Sequence, residues 1–235
     1  MENAFLLKTI ISFVVAGIWI GGATLLAERL GSKKGGLISN LPSTVLIALV
    51  FVALVQDARF AASATDAVPI GMLISTLFLL VFILLLKYGL IKAIFLSLSL
   101  WLVLAFLAQK IHLSNIIFNI ILYFITAVAS YLLLEYVIKI EAKGKKKQKY
   151  TPGSLLIRAL FAGSIVAGTI IISTFAGTYW VGLLSTFPAV ILSTMVILTI
   201  NQGIDFARAT GKIIILSSTN IIIYAIGVSL SLIHI

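Results

Sequence analysis

From Ala159 to Ile204 the chain runs for 46 residues without a single charged side chain. In water, a fold would have to bury such a run on every side, and soluble domains seldom do. A bilayer removes the difficulty. At about 20 apolar residues per crossing, the run is too long for one helix and suits two joined by a tight turn. The small residues of "AGTY", centred on Gly177, supply that turn. The rest of the chain is similar: 17 basic and 7 acidic residues in 235 positions, 61% hydrophobic residues and a mean hydropathy of +1.22. These values define an integral membrane protein. With no cysteine, disulfides and thiolate metal sites are excluded.

Hydropathy predicts an all-α helix bundle with eight spans, at about 5–27, 36–56, 68–86, 90–108, 113–138, 155–176, 179–201 and 213–233. The predicted breaks include "ERLGSKK", "DARFAASATDA" and "GIDFARATGK". The first span is too long for the apolar core of a signal peptide, and "MENAFLLK" has little positive charge before it. Eight spans place both termini on one side, with Lys8, Arg59 and Lys110. The other 14 basic residues, among them Lys143, Lys145, Lys146, Lys147 and Lys149, fall opposite. Basic loops stay inside, so both termini are expected outside, in the plasma membrane of a prokaryote. This distribution suits a membrane surface rather than nucleic acid, despite the net charge of +10.

Shifted by 146 residues, the chain aligns with itself without a gap. Ala16, Gly17 and Gly22 fall on Ala162, Gly163 and Gly168, and Gly31 falls on Gly177. Gly36, Leu37, Ser39 and Pro42 fall on Gly182, Leu183, Ser185 and Pro188, and Gln56, Phe60 and Ala61 on Gln202, Phe206 and Ala207. Matches of Gly, Pro, Ser and Gln in one register are not produced by apolar composition alone. The expected units are repeat one at 1–88, a two-helix insert at 89–140, a basic linker at 141–153 and repeat two at 154–235. Corresponding spans are five apart, so the second copy is expected to enter the membrane from the opposite side, the plan of many secondary transporters.

Both copies carry a proline about six to nine residues inside a span, roughly 9–14 Å deep. Proline removes a backbone bond, and in lipid the freed carbonyl must be satisfied by protein or a water-lined cavity. Broken helices in matching positions of two inverted halves point to a substrate site. The candidate binding residues are Ser39, Asn40, Pro42, Thr44 and Gln56 in one half, and Ser185, Thr186, Pro188, Asn201 and Gln202 in the other. The competing structural reading is that small residues merely let helices approach and that Ser and Thr bond their own helix.

The pattern Gly182, Leu183, Phe187, Pro188 in "YWVGLLSTFPAVILSTMVI" resembles the small GlpM-like bacterial membrane proteins. The resemblance covers mainly residues 155–233. The first copy departs from it with Leu41 in place of the Phe, and spans four and five have no counterpart. It implies a membrane protein of undefined role.

Glu135 stands four residues before Lys139, the spacing of a helical ion pair at the membrane edge. Asp57, Arg59, Asp66, Asp205 and Arg208 are expected in loops, as gates or as solvated charges. Asn119 and Asn220 read as interhelical hydrogen-bonding amides. No nucleophile-and-base pattern, metal-ligand spacing or phosphate loop occurs, so an enzyme, a metal or another cofactor is not expected. The expected function is a transporter or channel for a small solute or ion with alternating access. The alternative is a non-transporting scaffold or assembly factor for another membrane protein. Expected partners are the bilayer, the solute, anionic lipid at Lys143–Lys149 and a second copy of the chain, with no nucleic acid.

Overall fold

The computed structural model describes residues 2–39, 43–113, 115–141 and 151–233. Among them the regular structure is entirely helical: α1 Glu2–Ser39, α2 Ser43–Val55, α3 Ala58–Ala64, α4 Val68–Leu85, α5 Leu90–Ile111, α6 Ile116–Leu132, α7 Pro152–Ser173, α8 Gly177–Ser185, α9 Ala189–Gln202, α10 Ile204–Ser217 and α11 Thr219–Ile233. Several join end to end. α3 and α4 are continuous through a 3-10 turn at Thr65–Ala67, and α6 ends in a π turn at Leu133–Val137. Among the described residues seven stretches are long and apolar enough to cross a bilayer; of the expected span 36–56 only the shorter apolar helix Thr44–Val55 is found, and it has to serve as the eighth. The protein is a polytopic membrane helix bundle.

Three expected boundaries differ. The segment "ERLGSKK" does not end the first helix, because α1 runs on to Ser39. Glu, Arg, Leu and Lys are strong helix formers, and no proline is present to remove a bond. The supposed loop 57–67 is helical from Ala58, capped by Asp57, whose Oδ1 accepts from the Phe60 amide at 2.7 Å. Pro69 does not break it, since it stands in the first turn of α4, where a missing N–H is harmless. The supposed loop 203–212 is likewise helical after Gly203, which turns the chain at φ +90°.

Three helix ends recur at the 146-residue spacing, although the turn between Ser173 and Gly177 has no counterpart in α1, which is continuous through the matching positions 27–31. α1 ends at Ser39 and α8 at Ser185, α2 starts at Ser43 and α9 at Ala189, and α3 starts at Ala58 and α10 at Ile204. The most extensive helix contact in the bundle is α1 on α7. A Cβ on Gly17 would lie 3.3 Å from the Ala159 carbonyl oxygen, and one on Gly163 would lie 2.8 Å from that of Phe13. Advancing from Phe13 to Gly17 therefore retreats from Gly163 to Ala159, so the two helices run in opposite directions. Phe13 with Ala159 and Gly17 with Gly163 are both 146-spaced pairs, so each helix offers the other the same two positions. Lipid is as apolar as Leu, so such contacts hold through close backbone packing rather than hydrophobic burial.

The stretches Ala58–Tyr88 and Gly177–Gln202 are the most buried, and the others surround them. Gly182 of α8 meets the Ala64 carbonyl and Ala67, while Gly71 of α4 meets the Thr186 side chain. α5 and α6 pack on α4 and turn outward faces of Phe, Leu, Ile and Val to lipid.

Candidate functional site

The span Gly177–Gln202 is interrupted at Thr186–Pro188, the break expected from Pro188. Its polar groups are accounted for one by one. Ser185 Oγ donates to the Gly182 carbonyl at 2.8 Å, and Thr186 Oγ1 to that of Leu183 at 2.7 Å. The Leu184 carbonyl accepts from the Phe187 amide at 3.0 Å. The Thr186 carbonyl accepts from Ser75 Oγ of α4 at 2.8 Å, and that oxygen accepts from Trp101 Nε1 of α5 at 3.1 Å. All four residues are buried. The Phe187 ring sits edge-on to Trp101 at 4.9 Å and to Phe161 of α7 at 6.0 Å. The break is thus held by three other helices.

The structure places the other predicted residues as follows. Ser39 is the last residue of α1, and Asn40 and Pro42 lie outside the described residues. Thr44 is half-buried in the first turn of α2. Gln56, just past α2, donates from Nε2 to the Ser173 carbonyl at 2.9 Å and to its hydroxyl at 3.4 Å, tying the first half to the end of α7. Gln202 ends α9. Asn201 is exposed on the rim of a groove between α7 and α9, of about 540 Å³. Ser193, on its wall, bonds the Val190 carbonyl of its own helix at 3.0 Å.

Three features were missed. Ser75 and Trp101 form the link that holds the break, although Ser75 was legible, with Thr76, as one of two adjacent hydroxyls in an apolar span. Asp66 lies in the 3-10 turn inside the Ala58–Tyr88 span, half-buried, rather than in an outer loop. The Asn119 amide, fully buried on α6, makes the interhelical hydrogen bond expected of it, reaching the Asp66 carbonyl at 3.5 Å and that of Leu113 at 2.9 Å. Finally, Glu135 does not pair with Lys139. It pairs with Lys212 of α10, which also donates to the Ile140 carbonyl. The π turn explains this. Ile138 bonds back five residues to Leu133, and Lys139 leaves the helix at φ +56°, so the four-residue stacking is lost.

An all-helical membrane bundle with a broken, clamped span is the class that fold and site define. A model of the family described as "Protein of unknown function (DUF3147)" matches residues 9–113, from within α1 to the end of α5. No curated protein and no solved structure matches the chain. Among the described residues no group of three or more His, Cys, Asp or Glu is placed to hold a metal.

Proposed function

We propose that the protein is a transporter or channel for a small solute or ion, made of two three-helix units of opposite orientation in the membrane. The observation that supports it is the reciprocal contact of α1 with α7. Two equivalent helices that run in opposite directions are related by an axis perpendicular to both. If both cross the bilayer, that axis lies in its plane, as in inverted-repeat transporters. The three helix ends that recur at Ser39, Ser43 and Ala58 extend the relation beyond the contact itself. The Thr186–Pro188 break then stands where such proteins bind solute, and Gln56 links the halves that would move against each other.

Reconstituted vesicles should pass at least one of three solute classes faster than protein-free vesicles: neutral polar solutes, anions or Na⁺. Ser75→Ala leaves the Thr186 carbonyl without its donor, a loss of about 1–3 kcal/mol, and should change that flux roughly tenfold or more. Absence of flux in all three classes would favour the scaffold reading. One feature supports that alternative: the Ser185 and Thr186 hydroxyls are both spent on their own helix.

The 14-to-3 division of basic residues supports termini that face outward. In this cysteine-free chain, single cysteines at Lys145 and Ser114 should react with an impermeant reagent from the inside and the outside respectively. Labelling of both from one side would overturn the eight-span orientation.

A further inference from the structure

We infer that the groove between α7 and α9 is a binding site for one anionic phospholipid of the leaflet that faces the basic segment. The groove is lined along one wall by Thr151, Gly153, Ser154, Ile157 and Phe161, and along the other by residues of α9 from Leu192 to Asn201. Its polar groups gather at one end, apart from Ser193 near the inner end, whose hydroxyl is spent on the Val190 carbonyl of its own helix. Thr151, Ser154 and Asn201 stand at the helix termini, while Ile157, Phe161, Leu192 and Val196 continue inward. From Thr151 to Phe161 is about 15 Å of helix, half of the roughly 30 Å hydrocarbon core. The cleft therefore runs the depth of one leaflet, with its polar mouth at the surface and its apolar floor towards the bilayer centre. An acyl chain below a polar headgroup has that same distribution.

Two further observations fix the occupant. The sequence leading into Thr151 is "KGKKKQKY", with five lysines in its first seven residues. The mouth also lies at the N-terminus of α7, where the helix dipole is positive. Both favour an anionic headgroup over a zwitterionic one, since the lysine run ends only two residues before Thr151 in the sequence. The first half of the chain supplies the contrast. The positions matching Thr151, Gly153 and Ser154 are Phe5, Leu7 and Lys8. There Phe5 packs against the core, and Lys8 Nζ donates across to the Leu54 carbonyl of α2 at 2.6 Å. Leu54 matches Ile200, on the groove's rim. In one half the matching positions carry large side chains, and an ammonium group bridges to α2. In the other, small residues leave the cleft open.

The site is independent of transport: a protein that moves no solute can still bind this lipid, and the converse also holds. Native mass spectrometry of the full-length protein, released from detergent after incubation with phosphatidylglycerol, phosphatidylcholine or a mixture, provides the test. One tightly retained phosphatidylglycerol is expected, at least fivefold preferred over phosphatidylcholine. Grafting the matching residues of the first half onto the groove (Thr151→Phe, Gly153→Leu, Ser154→Lys) should remove that retained lipid. Ser193→Phe, which fills the same cleft from α9 without touching the mouth, should do so too and serves if the triple variant does not fold. An unchanged lipid count in a folded variant would overturn the site. Equal retention of both lipids by the unaltered protein would overturn its anionic specificity.

Discussion

Gly182→Val should prevent the bundle from forming a stable core, read as loss of the monodisperse species in detergent and a fall in Tm. A Cβ at Gly182 would lie 2.1 Å from the Ala64 carbonyl oxygen and 2.8 Å from the Ala67 methyl. The first is backbone and cannot rotate away. α8 would have to retreat from the 3-10 turn at Thr65–Ala67, in the most buried part of the protein. Overpacking usually costs about 1–3 kcal/mol, and a clash with fixed backbone between two buried spans should reach or exceed the upper end. Even Gly182→Ala should destabilise, although Ala favours helix over Gly by about 1 kcal/mol. Gly22 and Gly168 provide the control, since nothing stands within 4 Å of a Cβ at either. Alanine there should be neutral or stabilising. Equal stability of the Gly182 and Gly168 variants would show that the packing of α8 on the turn is wrong.

The ion pair between Glu135 and Lys212 should be unequal in its two deletions. The Lys212 side chain is 4% exposed and that of Glu135 is 35% exposed. Glu135→Ala leaves an ammonium group enclosed with one carbonyl partner. Stranding a buried charge costs about 3–5 kcal/mol, so this variant should unfold first on heating. Lys212→Met instead leaves a carboxylate that keeps contact with the surface and is screened there, so its cost should be clearly smaller. The double variant Glu135→Leu with Lys212→Met should recover most of the loss, because no charge then remains unpaired. Thermal unfolding of the three proteins in one detergent distinguishes these outcomes. A larger drop for Lys212→Met than for Glu135→Ala would contradict the burial order.

The membrane class was decided by the sequence alone. Solvation by a bilayer depends on composition over about 20 residues, and the uncharged run from Ala159 to Ile204 satisfies it without reference to any other part of the chain. The break at Pro188 was legible for the same reason, since a missing N–H is a local defect. So was the 146-residue register, carried by Gly, Pro and Gln rather than by interchangeable apolar residues. Hydropathy misplaced the ends of the helices. It read the charges at 57–67 and 203–212 as loops, whereas a helical backbone continues wherever its hydrogen bonds can be made, and Asp57 and Gly203 supplied the starts.

Partners were decided by tertiary structure. Glu135 had a neighbour four residues away and took one 77 residues away, because the π turn removed the first and the packing of α10 supplied the second. The Thr186 carbonyl is satisfied by Ser75, 111 residues distant, and no local rule selects that hydroxyl. The groove arises the same way. Thr151, Gly153 and Ser154 leave space only because α9 passes beside them, and whether small residues make a cavity or a close contact depends on how near the facing helix comes. At Gly163 that distance closes against Phe13, while ten residues earlier, at Gly153, it stays open.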